Sequence, residues 1–261
     1  MQTAVSTATA PLRFVPGATA AAQPLRAAAP VDCTHCHMRE LCLPAGLNGD
    51  TVEQLDGLKF ARRRVKAGEA LYHAGERFGF IYAVRSGTFK TVMVLKDGRE
   101  QVTGFHFAGD VMGLDGLAQG AHATTAVPLE DAEICAIPYH QLSELAVRHP
   151  SLHAAVARMM SRELVREHGV MLLLASMNAE ERLASFLLNV SERMRSRGYS
   201  ATEFHLRMSR AEIGSYLGMK LETVSRTFSA FQQQGVLKVD KKHVRISDLD
   251  ALSRLCEARL Q

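Results

Sequence analysis

The chain has 261 residues, five cysteines and a formal charge of +4, with 47% of its residues hydrophobic. That is enough chain for one large or two modest domains, each with its own core, and two domains are the expectation. No apolar run reaches the ~18 to 20 residues that cross a bilayer, and residues 1–30 lack the compact apolar core of a signal peptide, so a soluble, cytoplasmic protein without a membrane partner is expected.

Residues 1–30 are rich in Ala, Thr and Pro and carry Arg13 and Arg26 with no acid. Such a composition fits a disordered tail, and a transit peptide shares its bias. The next segment, 31–50, begins "VDCTHCHMRELCLPAG" and crowds Cys33, Cys36 and Cys42 together. Clustered cysteines in a reducing compartment bind metal or do redox chemistry more often than they form disulfides. Spacing alone leaves zinc and iron–sulfur level, because Cys33, His35, Cys36, His37 and Cys42 can supply a tetrahedral Cys/His set.

Residues 51–149 read first as short strands punctuated by Gly68, Gly75, Gly87, Gly98, Gly109 and Gly113. "FIYAVRSGTFKTVMVL" is rich in β-branched and aromatic residues, and "KDGRE" at 96–100 puts Asp-Gly where a tight hairpin needs it. Turn signals this regular predict a small β-sandwich or jelly-roll barrel.

The pattern turns helical at Tyr139. Pro150 opens a long amphipathic segment, 150–177, in which Ala157, Met160, Leu164, Glu167, Met171 and Leu174 alternate spacings of three and four. That is a heptad seam for a partner helix, with a single core-packed helix as the plainer alternative. Asn178 with Glu181 forms a capping-box pattern that starts the last unit, 178–261.

Within that unit, "MSRAEIGSYLGMKLETVSRTFSAFQQQGVLKV" predicts a helix-turn-helix. Ser209 and Glu212 cap the first helix, Gly218 breaks the chain, and 221–234 forms the second. Leu221, Val224, Phe228 and Phe231 are expected to pack inward, while Glu222, Ser225 and Arg226 share a polar face near the helix start. Arg can donate twice to guanine, Glu can accept from cytosine N4 and Ser can bond several bases, so this face suits base reading better than a surface ion pair. "VLKVDKKHVRI" then alternates like a hairpin wing with Asp240, Lys241 and Lys242 at its tip. From Arg195 onward there are twelve Lys/Arg against seven Asp/Glu, a basic balance that suits a polyanion and also an ordinary solvated surface. The fold class expected is α+β: a β-roll, a long linking helix and a winged helix-turn-helix.

The stretches "CTHCHMRELC", "YAVRSGTFK", "REQVTGFHFAGDVMG", "EICAIP", "MLLLASMNAEERLASFL" and "LETVSR" together resemble the CRP/FNR superfamily of bacterial transcription regulators, and within it the FNR (fumarate and nitrate reduction) oxygen sensors. The resemblance covers Cys33 to the C-terminus. It implies an oxygen-labile [4Fe-4S] cluster held by Cys33, Cys36, Cys42 and, from "EICAIP", Cys135, and leaves Cys256 as a packing residue. It implies a homodimer when the cluster is loaded, binding a palindromic promoter site of TTGAT and ATCAA separated by four base pairs. Glu167 in the seam would then oppose pairing until the cluster is in place. RNA polymerase is the further partner implied, with loops 96–99 and 118–122 as candidate contacts; Arg99 departs from the acid that relatives carry.

The sequence departs from the nucleotide-binding branch of the superfamily. Leu114 and Asp115 follow Gly113 where that branch resembles a Gly-Glu-Leu cassette, 121–127 has no Arg, and Leu221 stands where it carries Arg. No cyclic nucleotide is expected, since its phosphate would lack a charged partner. An iron–sulfur electron carrier is the alternative of a different class, and the recognition helix and missing flavin or nicotinamide fingerprint speak against it.

Overall fold

The structure is a computed structural model describing residues 32–58, 60–95 and 97–257; the expected tail, 1–30, lies outside them. The cysteine segment is a succession of turns, in which the Cys36 amide donates to Cys33 O at 3.3 Å and the Cys42 amide to Met38 O at 3.0 Å. It leads into helix α1 (Gly49–Asp56), which starts where it does because the Asn48 side chain accepts from the Thr51 amide at 3.1 Å.

Strands β1 (Ala61–Val65), β2 (Phe80–Ser86), β3 (Phe89–Val94), β4 (Glu100–His106), β5 (Val111–Met112), β6 (Thr125–Pro128) and β7 (Ala132–Pro138) make the β-roll. They form two antiparallel sheets, ordered β1-β7-β2-β5 and β4-β3-β6. Tyr72, Tyr82, Val84, Phe89 and Ile134 fill the space between them. The Asp-Gly turn closes the β3–β4 hairpin, with Gly98 at φ +84°, where a side chain would be strained. On β2 the ladder slips: Val84 faces Ile134 and Ser86 faces Glu133, leaving Arg85 as the extra residue of a bulge.

Helix α2 (Tyr139–Arg148) precedes the 27-residue α3 (Pro150–Ser176), with Pro150 in its first turn. The inward side of α3 is Leu152, Ala155, Met159 and Leu173. Every seam position lies off that face: Ala157, Leu164, Glu167, Met171 and Leu174 are exposed and Met160 half-buried. Leu164 and Met171 are 56% and 62% exposed, which does not fit the core-packed alternative.

Helix α4 (Ala179–Ser196) begins at the capping box of Asn178 and Glu181, with both reciprocal bonds made. The remaining elements are β8 (Glu203–His205), α5 (Arg210–Leu217), α6 (Leu221–Gln233), β9 (Leu237–Asp240), β10 (His243–Ile246) and α7 (Leu249–Glu257), with the small sheet ordered β8-β10-β9. The fold is α+β: a β-roll, a long helix and a winged helix-turn-helix.

The winged unit does not hang free. Val92, Val102, Phe105 and Phe107 of the β3–β4 region share one apolar core with α4, α5 and α6. Phe105 meets Phe186 and Tyr216 edge-on at 6.0 and 5.1 Å. The Val102 amide donates to Ser215 Oγ at 2.9 Å, and Lys90 Nζ lies 2.8 Å from Glu212 Oε1. β4 is an edge strand, and α5 covers it.

Candidate metal centre and nucleic-acid interface

The Cys33 and Thr34 amides donate to the two oxygens of Asp56, at 2.5 and 3.1 Å, and the Thr34 hydroxyl donates to the second at 2.6 Å. The C-terminal end of α1 therefore pins the start of the cysteine segment. Farther along, Leu41 and Met38 lie against Gly109, where an added Cβ would sit 2.8 Å from Leu41 Cβ. Only glycine lets the segment approach the β4–β5 turn this closely.

Cys33, Cys36, Cys42 and Cys135 are all free thiols. Cys33 and Cys135 are buried in one apolar cluster against which Cys42 packs, and Cys36 is half-buried. Burial pushes the Cys33 thiol up strongly, with Asp56, Cys42 and Cys135 adding to it. Burial likewise lifts Cys42 to about 12, and raises Cys135 against the pull of Arg85. Thiols in this state keep their protons until a cation displaces them. The four sulfurs thus feel one another electrostatically, yet among the described residues no three Cys, His, Asp or Glu side chains stand in a ligating array. As a donor set, two buried and two partly buried thiols fit an iron–sulfur cluster. The residues of a Cys/His zinc set fit less well: His35 and His37 are both exposed, and His35 Nδ1 pairs with Asp32 Oδ2 at 2.8 Å.

Cys256 stands apart. It packs beside the core of the winged unit, 3.4 Å from Ser185 Oγ. Between Cys42, Asp110, Met159, Arg162 and Arg193 lies a cavity of about 270 Å³.

After Gly113, at φ +90°, a single turn of 3₁₀ helix (Leu114–Gly116) presents Asp115 to the loop that follows. Its carboxylate accepts from the amides of Ala123 and Thr124 at 2.8 and 2.9 Å and from the Thr124 hydroxyl at 2.9 Å, and lies 3.3 Å from His122 Nδ1. Tyr72 stacks on the His122 ring at 4.0 Å. Burial opposes ionisation of Asp115, but His122 and Thr124 outweigh it and hold the carboxyl below its usual range. The loop's anion-seeking donors are occupied by the chain's own acid.

In the helix-turn-helix, Ser209 and Glu212 make the expected capping box, and α5 ends at Gly218 in the left-handed region, φ +62°. Gly214 lets the turn close, since a Cβ there would lie 2.6 Å from Met219 O. Val224, Phe228 and Phe231 are buried as expected. Leu221 is not: it is 45% exposed. It occupies the first helical position after Lys220, one turn before α6 meets the core at Val224.

Glu222, Ser225 and Arg226 form an exposed face at the N-terminal half of α6. Among the described residues, neither Glu222 nor Arg226 takes an ion-pair partner, so the surface-pair alternative is not formed. At the wing, Lys241 and Lys242 join β9 to β10 with Lys241 at φ +54°, and Lys238 and Lys241 are exposed. Arg182 ties this unit to α3, donating to Leu174 O at 2.9 Å and Leu217 O at 3.0 Å.

A β-roll linked through a long, apolar-faced helix to a winged helix-turn-helix defines a DNA-binding transcription regulator and not an enzyme. Residues 62–149 match the family described as Cyclic nucleotide-binding domain, and residues 181–255 match the Crp-like helix-turn-helix domain. Among curated relatives, the "Transcriptional regulatory protein btr" of Bordetella pertussis is 43% identical over 85% of this chain and 92% of its own length. The "Anaerobic regulatory protein" of Haemophilus influenzae is 40% identical over 93% and 94% of the two chains. The "Fumarate and nitrate reduction regulatory protein" of Escherichia coli K12 is 40% identical over 86% and 90%. Of solved structures, FixK2 from Bradyrhizobium japonicum aligns with TM-score 0.69 and 31% identity over 76% of this chain and 98% of that one. The chain belongs to the CRP/FNR family of transcription regulators, and within it to the FNR type.

Proposed function

We propose that this protein is an oxygen-responsive cytoplasmic transcription regulator that holds a [4Fe-4S] cluster on Cys33, Cys36, Cys42 and Cys135 when oxygen is scarce. In that state it pairs as a homodimer and binds an FNR-type palindromic promoter site to activate or repress genes of anaerobic metabolism. The observation that carries this reading is that Cys33, Cys42 and, from β7, Cys135 gather at one apolar cluster, with Cys36 of the same segment acting electrostatically on Cys42 and Cys135. The bound cluster would supply an oxygen-labile cross-link between that segment and the β-roll. A segment built of turns can tighten around it without breaking a helix or a strand.

The rest follows from this chain's own residues. Asp56 and the Gly109 contact hold the segment in place, and the exposed seam of α3 offers Leu164, Met171 and Leu174 to a second copy. Pairing along it would set two α6 faces about one DNA turn apart, roughly 34 Å, with Glu222, Ser225 and Arg226 on base edges and Lys241 on phosphate. Because Asp115 satisfies the donors after Gly113, a cyclic nucleotide is not the effector. RNA polymerase is the proposed further partner through the loops 96–99 and 118–122. Arg99 turns back onto Asp97 at 2.7 Å, and Lys96 lies outside the described residues.

The test is the visible spectrum of anaerobically purified protein with iron, zinc and sulfide quantified. Absorption near roughly 400 nm that bleaches in air, lost in Cys135→Ser and kept in Cys256→Ser, is the expected result. A colourless protein with one zinc would overturn the proposal.

A further inference from the structure

We infer that Arg85 is a positioning residue for the cluster site, donating from its guanidinium to the sulfur of Cys36 and balancing the negative charge that four thiolates bring. This rests on the cluster reading above. Arg85 is the extra residue of the β2 bulge, between Val84 and Ser86, and so has no partner across the β2–β7 ladder. Bulges re-aim side chains. Here the guanidinium is turned toward the cysteine segment, with Nη1 3.5 Å from Cys36 Sγ.

A second contact fixes that aim. Arg85 Nε lies 3.2 Å from Glu133 Oε2, on the β7 residue that faces Ser86 and stands two positions before Cys135. Because the guanidinium is planar, an acid on Nε sets the direction of Nη1. The side chain is only 16% exposed, so its charge is weakly screened by water. A plain ion pair between neighbouring strands would use Arg85 and Glu133 alone. The sulfur contact is what that simpler role leaves unexplained.

Hydrogen bonds to ligand sulfurs and nearby charge set a cluster's potential, and partners of this kind usually matter tenfold or more. A donor at Cys36 stabilises the electron-richer state. Its removal lowers the potential, so the cluster is lost to oxygen faster.

The experiment uses the full chain, reconstituted anaerobically as wild type, Arg85→Gln and Arg85→Lys. Bleaching rate in air-saturated buffer, midpoint potential, and iron and sulfide content are measured, with thermal unfolding of the metal-free proteins as a check on folding. The expected result is bleaching about tenfold faster and a more negative potential in Arg85→Gln, with Arg85→Lys between it and wild type. If Arg85→Gln unfolds, the lysine variant decides by the same two readouts. A loaded wild type that the folded variants match in rate and potential overturns the inference alone. A wild type that takes up no iron and sulfide overturns the cluster reading, and the inference falls with it.

Discussion

Asp110, in the turn between β4 and β5, holds Arg197 Nη2, just past the end of α4, at 2.8 Å on one carboxylate oxygen and Arg193 of α4 on the other. The turn is anchored from within, since the Phe107 amide also donates to Asp110 at 2.6 Å. One residue earlier, Gly109 carries Leu41 of the cysteine segment against it. A single turn is thus touched by the proposed sensor on one side and by the DNA-binding unit on the other. Arg197 is 7% and Arg193 16% exposed, and burial lowers the Arg193 pKa. Asp110→Asn leaves two buried guanidiniums without their acid. The expected loss is about 3 kcal/mol in urea unfolding, with faster hydrogen exchange at the end of α4. A variant within about 0.5 kcal/mol of wild type would show that the pair carries little of the docking.

Glu167 stands exposed on the seam of α3, flanked one turn away on either side by Leu164 and Met171, also exposed. Two copies brought together across a two-fold axis would repel and lose hydration. Glu167→Ala is expected to raise the dimer fraction of the metal-free protein in air, seen by analytical ultracentrifugation. Leu164→Asp is expected to keep even the loaded protein monomeric. A Glu167→Ala protein that stays monomeric at every concentration tested would remove this acid from the switch.

These relationships differ in how far the sequence discloses them. Both capping boxes, Asn178 with Glu181 and Ser209 with Glu212, are legible because their bonds span three residues. The Gly98 hairpin and the outward stripe of α3 are legible for the same local reason, a turn chemistry and a period. Cys135 comes into view only through the resemblance, since nothing in "EICAIP" by itself marks a ligand for cysteines some ninety positions earlier. Arg85, Asp56 and Asp110 are not legible at all. Their roles depend on a one-residue slip in a ladder, a helix end beside Cys33 and a turn beside α4, which are matters of tertiary register. Leu221 misled for a related reason. Helical spacing gives a face, and where along that face the core begins is set by α5.

Among the described residues Arg226 has no ion-pair partner, and it sits on the exposed face of α6 with Glu222 one turn before it. Arg226→Ala is expected to cost about 1 to 3 kcal/mol at the cognate site and to relax preference at one G·C pair. Lys241→Ala, at the wing, is expected to weaken all sequences alike and to lower the salt slope by about one. Fluorescence anisotropy against cognate and scrambled duplexes separates the two. Equal losses on both duplexes for Arg226→Ala would assign that residue to phosphate.

Glu212 does two jobs, closing the capping box of α5 through the Ser209 amide at 2.7 Å and meeting Lys90 of β3 at 2.8 Å. Burial opposes its ionisation, but the Lys90 and Ser209 bonds outweigh that and hold the carboxyl below its ordinary 4.5. A carboxyl depressed by folding contributes stability above its unfolded pKa and loses it as pH falls through the folded value. The docking of α5 on β4 should therefore be insensitive to this group near neutrality and weaken only below about pH 4.5. Glu212→Gln keeps a capping group and removes the charge, so it should destabilise at pH 7 and flatten the acid limb of a urea-midpoint profile. An unchanged acid limb in Glu212→Gln would place the acid sensitivity on other carboxylates.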